Sequence, residues 1–167
     1  MKDLLLLLVF PTIIIYSAVS DLLRMTISNR VSLGLAAAFV AMALITGMSA
    51  AEAAWHLAAA FSVLSVAFAC FAFGWIGGGD AKIAAATALW FGFDQLFAYL
   101  IVGSFFGGIL TLGILKMRSL PLPRFAARQP WIVRLHDTKT GIPYGIALAI
   151  GALAIYPQTS WMQIVGI

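Results

Sequence analysis

Charge is what this 167-residue chain most lacks. Only 10% of its residues are Asp, Glu, Lys or Arg, 63% are hydrophobic, and the mean hydropathy is +1.04. Soluble domains carry roughly 25% charged and about 45–50% apolar residues, so a soluble domain is excluded. Acids are scarcest, six beside ten lysines and arginines. The net charge of +4 would point to nucleic acid only if the basic residues shared a water-exposed face. They stand instead between apolar runs, and no nucleic-acid partner is expected. The single cysteine, Cys70, lies inside an apolar run, which excludes a disulfide framework and a cysteine-built zinc site. Neither Gly-x-Ser-x-Gly nor Ser-x-x-Lys is found to support a nucleophile, and there is no Walker A sequence or dinucleotide fingerprint. No cofactor and no metal are expected.

What is present is a series of apolar runs. Residues 4–20, 31–50, 53–77, 96–115 and 142–156 read as membrane spans, the first as a span in preference to a cleaved signal sequence. Residues 83–93 form a further, short run that would reach only about 16 Å as a helix, half the hydrocarbon thickness. It is separated from the next run at Asp94-Gln95 and preceded by Gly77-Gly78-Gly79-Asp80. The expectation is an all-α, polytopic membrane protein of about six transmembrane helices, the fourth short and opened by a glycine-rich loop. Residues 1–167 are expected to form one membrane-embedded domain with no soluble domain. All basic residues except Lys2 fall between spans one and two, three and four, or five and six, whereas Asp3, Glu52 and Asp94 fall on the other side. The positive-inside rule makes the basic side cytoplasmic, with both termini outside. His56 and His136 then lie on opposite sides and cannot share a metal. Residues 117–141, with three prolines, Trp131 and spaced arginines, suit a chain lying on the headgroups.

Three carboxylates belong to the basic side: Asp21, Asp80 and Asp137. Asp21 ends the first span and Asp80 opens the fourth, so the two can meet at one depth. Ionisable groups there are costly and point to function. Two carboxyls in a partly dry site share a proton, and a neutral acid beside an ionised base is what hydrolysis of a peptide by water requires. Each aspartate taken alone also fits an interfacial residue or a helix cap. Gly77, Gly78 and Gly79 would let an extended substrate backbone approach Asp80, or would serve close helix packing. Lys82 could tune Asp80, and Arg24, three residues beyond Asp21, could hold that carboxylate ionised; both also fit topology anchors.

Taken together, Gly77-Gly78-Gly79-Asp80-Ala81-Lys82, Ser20-Asp21-Leu22-Leu23-Arg24 and Ile27-Ser28-Asn29 resemble the type IV prepilin peptidases, intramembrane aspartic proteases of the Gly-x-Gly-Asp type. Leu135-His136-Asp137 and the run from Thr140 through Gly141-Ile142-Pro143-Tyr144-Gly145 to Ala147 resemble the short subgroup serving Tad/Cpa (Flp) pili. The resemblance implies that Asp21 and Asp80 are a catalytic pair cutting prepilins at the cytoplasmic face of the bacterial inner membrane, between a basic leader and the apolar pilin helix. It also implies that Asn29, Lys82, Pro143, Tyr144 and Gly145 shape the site, and that pilus assembly machinery is a partner beside the bilayer. Family members usually carry proline before the asparagine of the first motif, where this chain has Ser28. Larger members add a Cys-x-x-Cys region and N-methylate the cut pilin; no such region is found, and no methyltransferase activity is expected. The competing expectations are an archaeal-preflagellin-like or other Gly-x-Gly-Asp protease, a small transporter using paired membrane aspartates, and a structural scaffold.

Overall fold

In the computed structural model, which describes residues 1–124 and 126–166, the chain is helical throughout, with no strand among the described residues. Among the described residues seven α-helices follow one another: α1 (Lys2–Arg24), α2 (Asn29–Thr46), α3 (Ala50–Ala72), α4 (Gly78–Arg118), α5 (Pro130–His136), α6 (Gly145–Ile155) and α7 (Ser160–Val165). Four of them, α1 to α4, are long and apolar enough to cross a membrane. The count of six spans is not reproduced as six such helices. The fourth and fifth expected spans are joined in α4, and the last is the short α6.

The helix ends follow from local chemistry. The hydroxyl of Ser28 caps α2 by accepting from the Arg30 N–H at 3.3 Å, and Ser49 with Glu52 forms a reciprocal capping box at the start of α3. Met25 ends α1 in the left-handed region, at φ 55°. The glycines at 74–77 fall beyond α3, which stops at Ala72, five residues short of the expected end of the third span.

A straight helix as long as α4, 41 residues, would measure about 60 Å. It does not run straight, because Gly92 stands at φ 60°, ψ −169°, a conformation essentially confined to glycine. The rings of Phe91 and Tyr99, which a continuous helix would hold about 12 Å apart along its axis, lie 5.3 Å apart. The two arms of α4, residues 78–91 and 93–118, therefore fold back beside each other. The break thus falls at Gly92 and not at the expected Asp94-Gln95. The first arm, about 21 Å long, is short of the hydrocarbon thickness as expected, though longer than the expected span of about 16 Å.

Carbonyls released at this break are taken up by side chains. The His56 Nδ1–H donates to the Leu89 oxygen at 2.8 Å, and the Trp161 indole N–H donates to the Trp90 oxygen at 2.7 Å. Both acceptors are buried where water could not replace a lost helical partner. Around the break Phe10, Phe39, Trp90, Tyr156 and Trp161 pack into an aromatic core, with Phe10 stacked on Tyr156 at 4.3 Å. That core ties α1, α2, α4 and the C-terminal turns together and leaves the opposite end of the bundle to carry the polar residues.

Candidate active site

Asp21 lies in the last turn of α1 and Asp80 in the first turn of α4. The two helices bring both carboxylates to one cavity of about 760 Å³. Asp21 is 5% exposed, and its Oδ2 accepts the N–H of Gly145, the first residue of α6, at 2.8 Å. A side chain at 145 would collide with this arrangement: a Cβ there would stand 2.8 Å from Asp21 Oδ2 and 2.7 Å from the Cδ1 of Ile27. Glycine is favoured at that position by contact, not by φ, since any side chain would push the Asp21 carboxylate and the tip of Ile27 aside.

The glycine triplet serves the same end on the other wall. A Cβ at Gly77 would stand 2.9 Å from Asp80 Oδ2, and one at Gly79 would stand 3.3 Å from the backbone nitrogen of Ile27. Bare backbone here lets the 26–28 loop close on α4 and leaves the Asp80 carboxylate against the chain that precedes it. The three glycines line the cavity with both aspartates.

Tyr144 completes the wall through an unusual accommodation. Its ring occupies the space a side chain at Gly107 would need; a Cβ there would lie 2.1 Å from the Tyr144 ring carbon Cζ. Two residues of the second arm of α4, Gly103 and Gly107, thus receive α6 and the chain before it, and Gly151 on α6 approaches the Gly103 backbone equally closely. At the far end of α4, Arg118 donates to the carbonyls of Leu135, Thr140 and Gly141 at 2.7, 3.1 and 2.9 Å. One guanidinium fork so holds the basic segment in place beside the cavity.

Not every expected residue joins this wall. Arg24, predicted to share a face with Asp21, is exposed at the last position of α1 and does not line the cavity. Lys82 and Asn29 face a neighbouring groove and bond to one another at 2.9 Å, which pins the start of α2 to α4. Pro143 is fully buried behind the cavity, and Asp137 is exposed, accepting the Lys139 N–H within its own turn. The cavity wall also uses Met25, Thr26 and Trp75, which the sequence did not single out, and Gly141 and Ile142, which it marked only within the resembling segment. Of these Trp75, 73% exposed next to the glycines, is the one a reader could have suspected, as an aromatic at a membrane boundary.

A profile of the type IV leader peptidase family matches residues 8–112, a stretch containing both cavity aspartates and the glycine triplet. The chain belongs to this family. Among curated proteins and among solved structures, nothing matches it. For a leader peptidase the two halves of the site are instructive: the matched stretch brings Asp21 and Asp80, while the wall beyond residue 112 brings Tyr144 and the Gly145 N–H that holds Asp21.

Proposed function

We propose that this peptidase is an aspartic prepilin leader peptidase, in which Asp21 and Asp80 activate water against a peptide bond of a type IV, Flp-type prepilin. The observation that carries the reading is the convergence of two carboxylates from separate helices on a cavity large enough for several residues of extended peptide. With one proton between them, one carboxylate takes a proton from water as its oxygen adds to the carbonyl carbon. The other carboxyl gives its proton to the carbonyl oxygen. Collapse of the tetrahedral diol breaks the C–N bond; the proton gained by the first carboxylate passes to the departing amine, and the second carboxylate recovers one from the diol. Gly145 holds one oxygen of Asp21 throughout, leaving the other for water.

Support for an Flp-type substrate is that the segment resembling the Flp subgroup supplies Gly141, Ile142 and Tyr144 to the cavity and Gly145 to Asp21. Support for a cytoplasmic-facing site in the inner membrane is the gathering of basic residues, Lys82, Arg118 and Arg134 among them, around the cavity end of the bundle. The pilus machinery that receives the cut pilin is the partner this reading implies.

The test is cleavage of a co-expressed Flp prepilin, read by mass, by the wild type, Asp21→Asn, Asp80→Asn and Asp94→Asn at matched expression. Loss of cutting in the first two and wild-type cutting in the third is expected. Cutting that survives both substitutions would refute the dyad, and gradient-dependent transport with intact prepilin would favour the transporter.

A further inference from the structure

A second concavity of about 600 Å³ lies along α4, its lining there running from Lys82 to Leu89. Its three walls have one pattern. Asn29, Ser32, Leu33 and Ala36 come from α2; Leu57, Ala60, Phe61 and Leu64 from α3; Lys82, Ala85, Ala86 and Leu89 from α4. Each set is spaced i, i+3, i+4, i+7, the face a helix presents to a parallel or antiparallel neighbour. α2 and α3 each pack on α4 but scarcely on each other, so the space between them is open sideways. The floor is alanine and the rims are Leu33 and Phe61, 68% and 71% exposed.

We infer that this groove seats the apolar helix of the substrate that follows the scissile bond, a deepening that rests on the prepilin reading above. Three observations select that occupant. The groove begins beside the site: Asn29 and Lys82, bonded to each other at its near end, are each two residues from a cavity residue, Ile27 and Asp80. A peptide at this depth must be helical, because its backbone groups have no water to bond, and an alanine floor between larger rims admits a helix backbone closely. The end nearest Asp80 is polar, and there Ser32 Oγ is buried without a partner. A helix leaves its first N–H groups unpaired, and a polar end suits the start of the incoming helix.

The test compares cleavage of intact, membrane-embedded Flp prepilin by the wild type and three variants. The double variant Leu33→Ala/Phe61→Ala removes exposed rims, Ala60→Trp fills the groove, and Phe105→Ala/Ile109→Ala removes equally exposed side chains elsewhere on α4. A fall of about tenfold or more in kcat/KM is expected for the first two, from lost or blocked apolar contact, with the third unchanged. A photo-crosslinking residue at 61 in the Asp80→Asn variant should capture prepilin, and one at 105 should not. Wild-type rates in both groove variants, an equal fall in the control, or capture of phospholipid alone at 61 would overturn the groove assignment. Failure of the wild type to cut prepilin would overturn the peptidase reading itself, and the groove's occupant with it.

Discussion

The Gly145 amide and the Asp21 carboxylate stand 124 positions apart in the chain and 2.8 Å apart in space. The first residue of α6 thereby fixes the last turn of α1, and one wall of the cavity is held by a segment outside the family match. Gly145→Ala should disturb that contact selectively. Overpacking a well-fitted site costs about 1–3 kcal/mol, and the nearest atoms include the Asp21 carboxylate itself. Prepilin cleavage should fall more than about tenfold while the helical circular dichroism is retained; full activity would show that α6 does not position Asp21.

Gly107 and Gly108 offer a matched pair. A Cβ at 107 would overlap the Tyr144 ring, whereas one at 108 meets nothing within 4 Å. Gly107→Ala should displace Tyr144 from the cavity wall and lower both activity and thermal stability. Gly108→Ala should leave both as they are. Equal behaviour of the two in a cleavage assay and a melting curve would argue against the placement of Tyr144.

At the fold-back of α4, Gly92→Ala should destabilise by about 1–3 kcal/mol, since its φ and ψ are closed to other residues. The His56 ring would also lie 3.2 Å from the added carbon. His56→Ala should destabilise by a similar amount, about 1–3 kcal/mol, by leaving the Leu89 carbonyl without a donor. His56→Gln, which keeps an N–H donor, should recover part of that loss. Melting in detergent reads all three, and a silent His56→Ala would mean that the carbonyl finds another partner.

Ser28 has a φ of −65°, the value a proline ring imposes. Ser28→Pro exchanges a 3.3 Å cap bond for a stiffer loop. The two effects oppose one another, each of about 1 kcal/mol or less. Activity should stay within about twofold of wild type, and a collapse of cleavage would show that the hydroxyl does more than cap α2.

The all-helical architecture and the two aspartates could be read from the sequence because apolar runs of limited length and rare buried charges are one-dimensional signals. Asp21 and Asp80 stand out for their scarcity, and the structure brings both to one cavity. The break in α4 was misplaced by two residues because Asp94-Gln95 is polar, whereas Gly92 matters for a backbone conformation that composition does not display. Arg24 was assigned a place beside Asp21 on helical spacing, but its side chain is exposed and does not line the cavity. Met25 and Thr26 were invisible for a further reason. They are wall residues by virtue of turns that meet only after α1, α4 and α6 have packed.

The brevity of α6 sets a condition on the surrounding lipid. Its 11 residues amount to about 16 Å against a hydrocarbon core of about 30 Å. Yet it packs between α1 and α4 and carries the amide that holds Asp21. Helices too short for their bilayer are accommodated by local thinning, at a cost that grows with each ångström of mismatch. Membranes of longer acyl chains therefore pull on the one element that orients this carboxylate, and the catalytic rate of the peptidase should track the thickness of the bilayer that holds it.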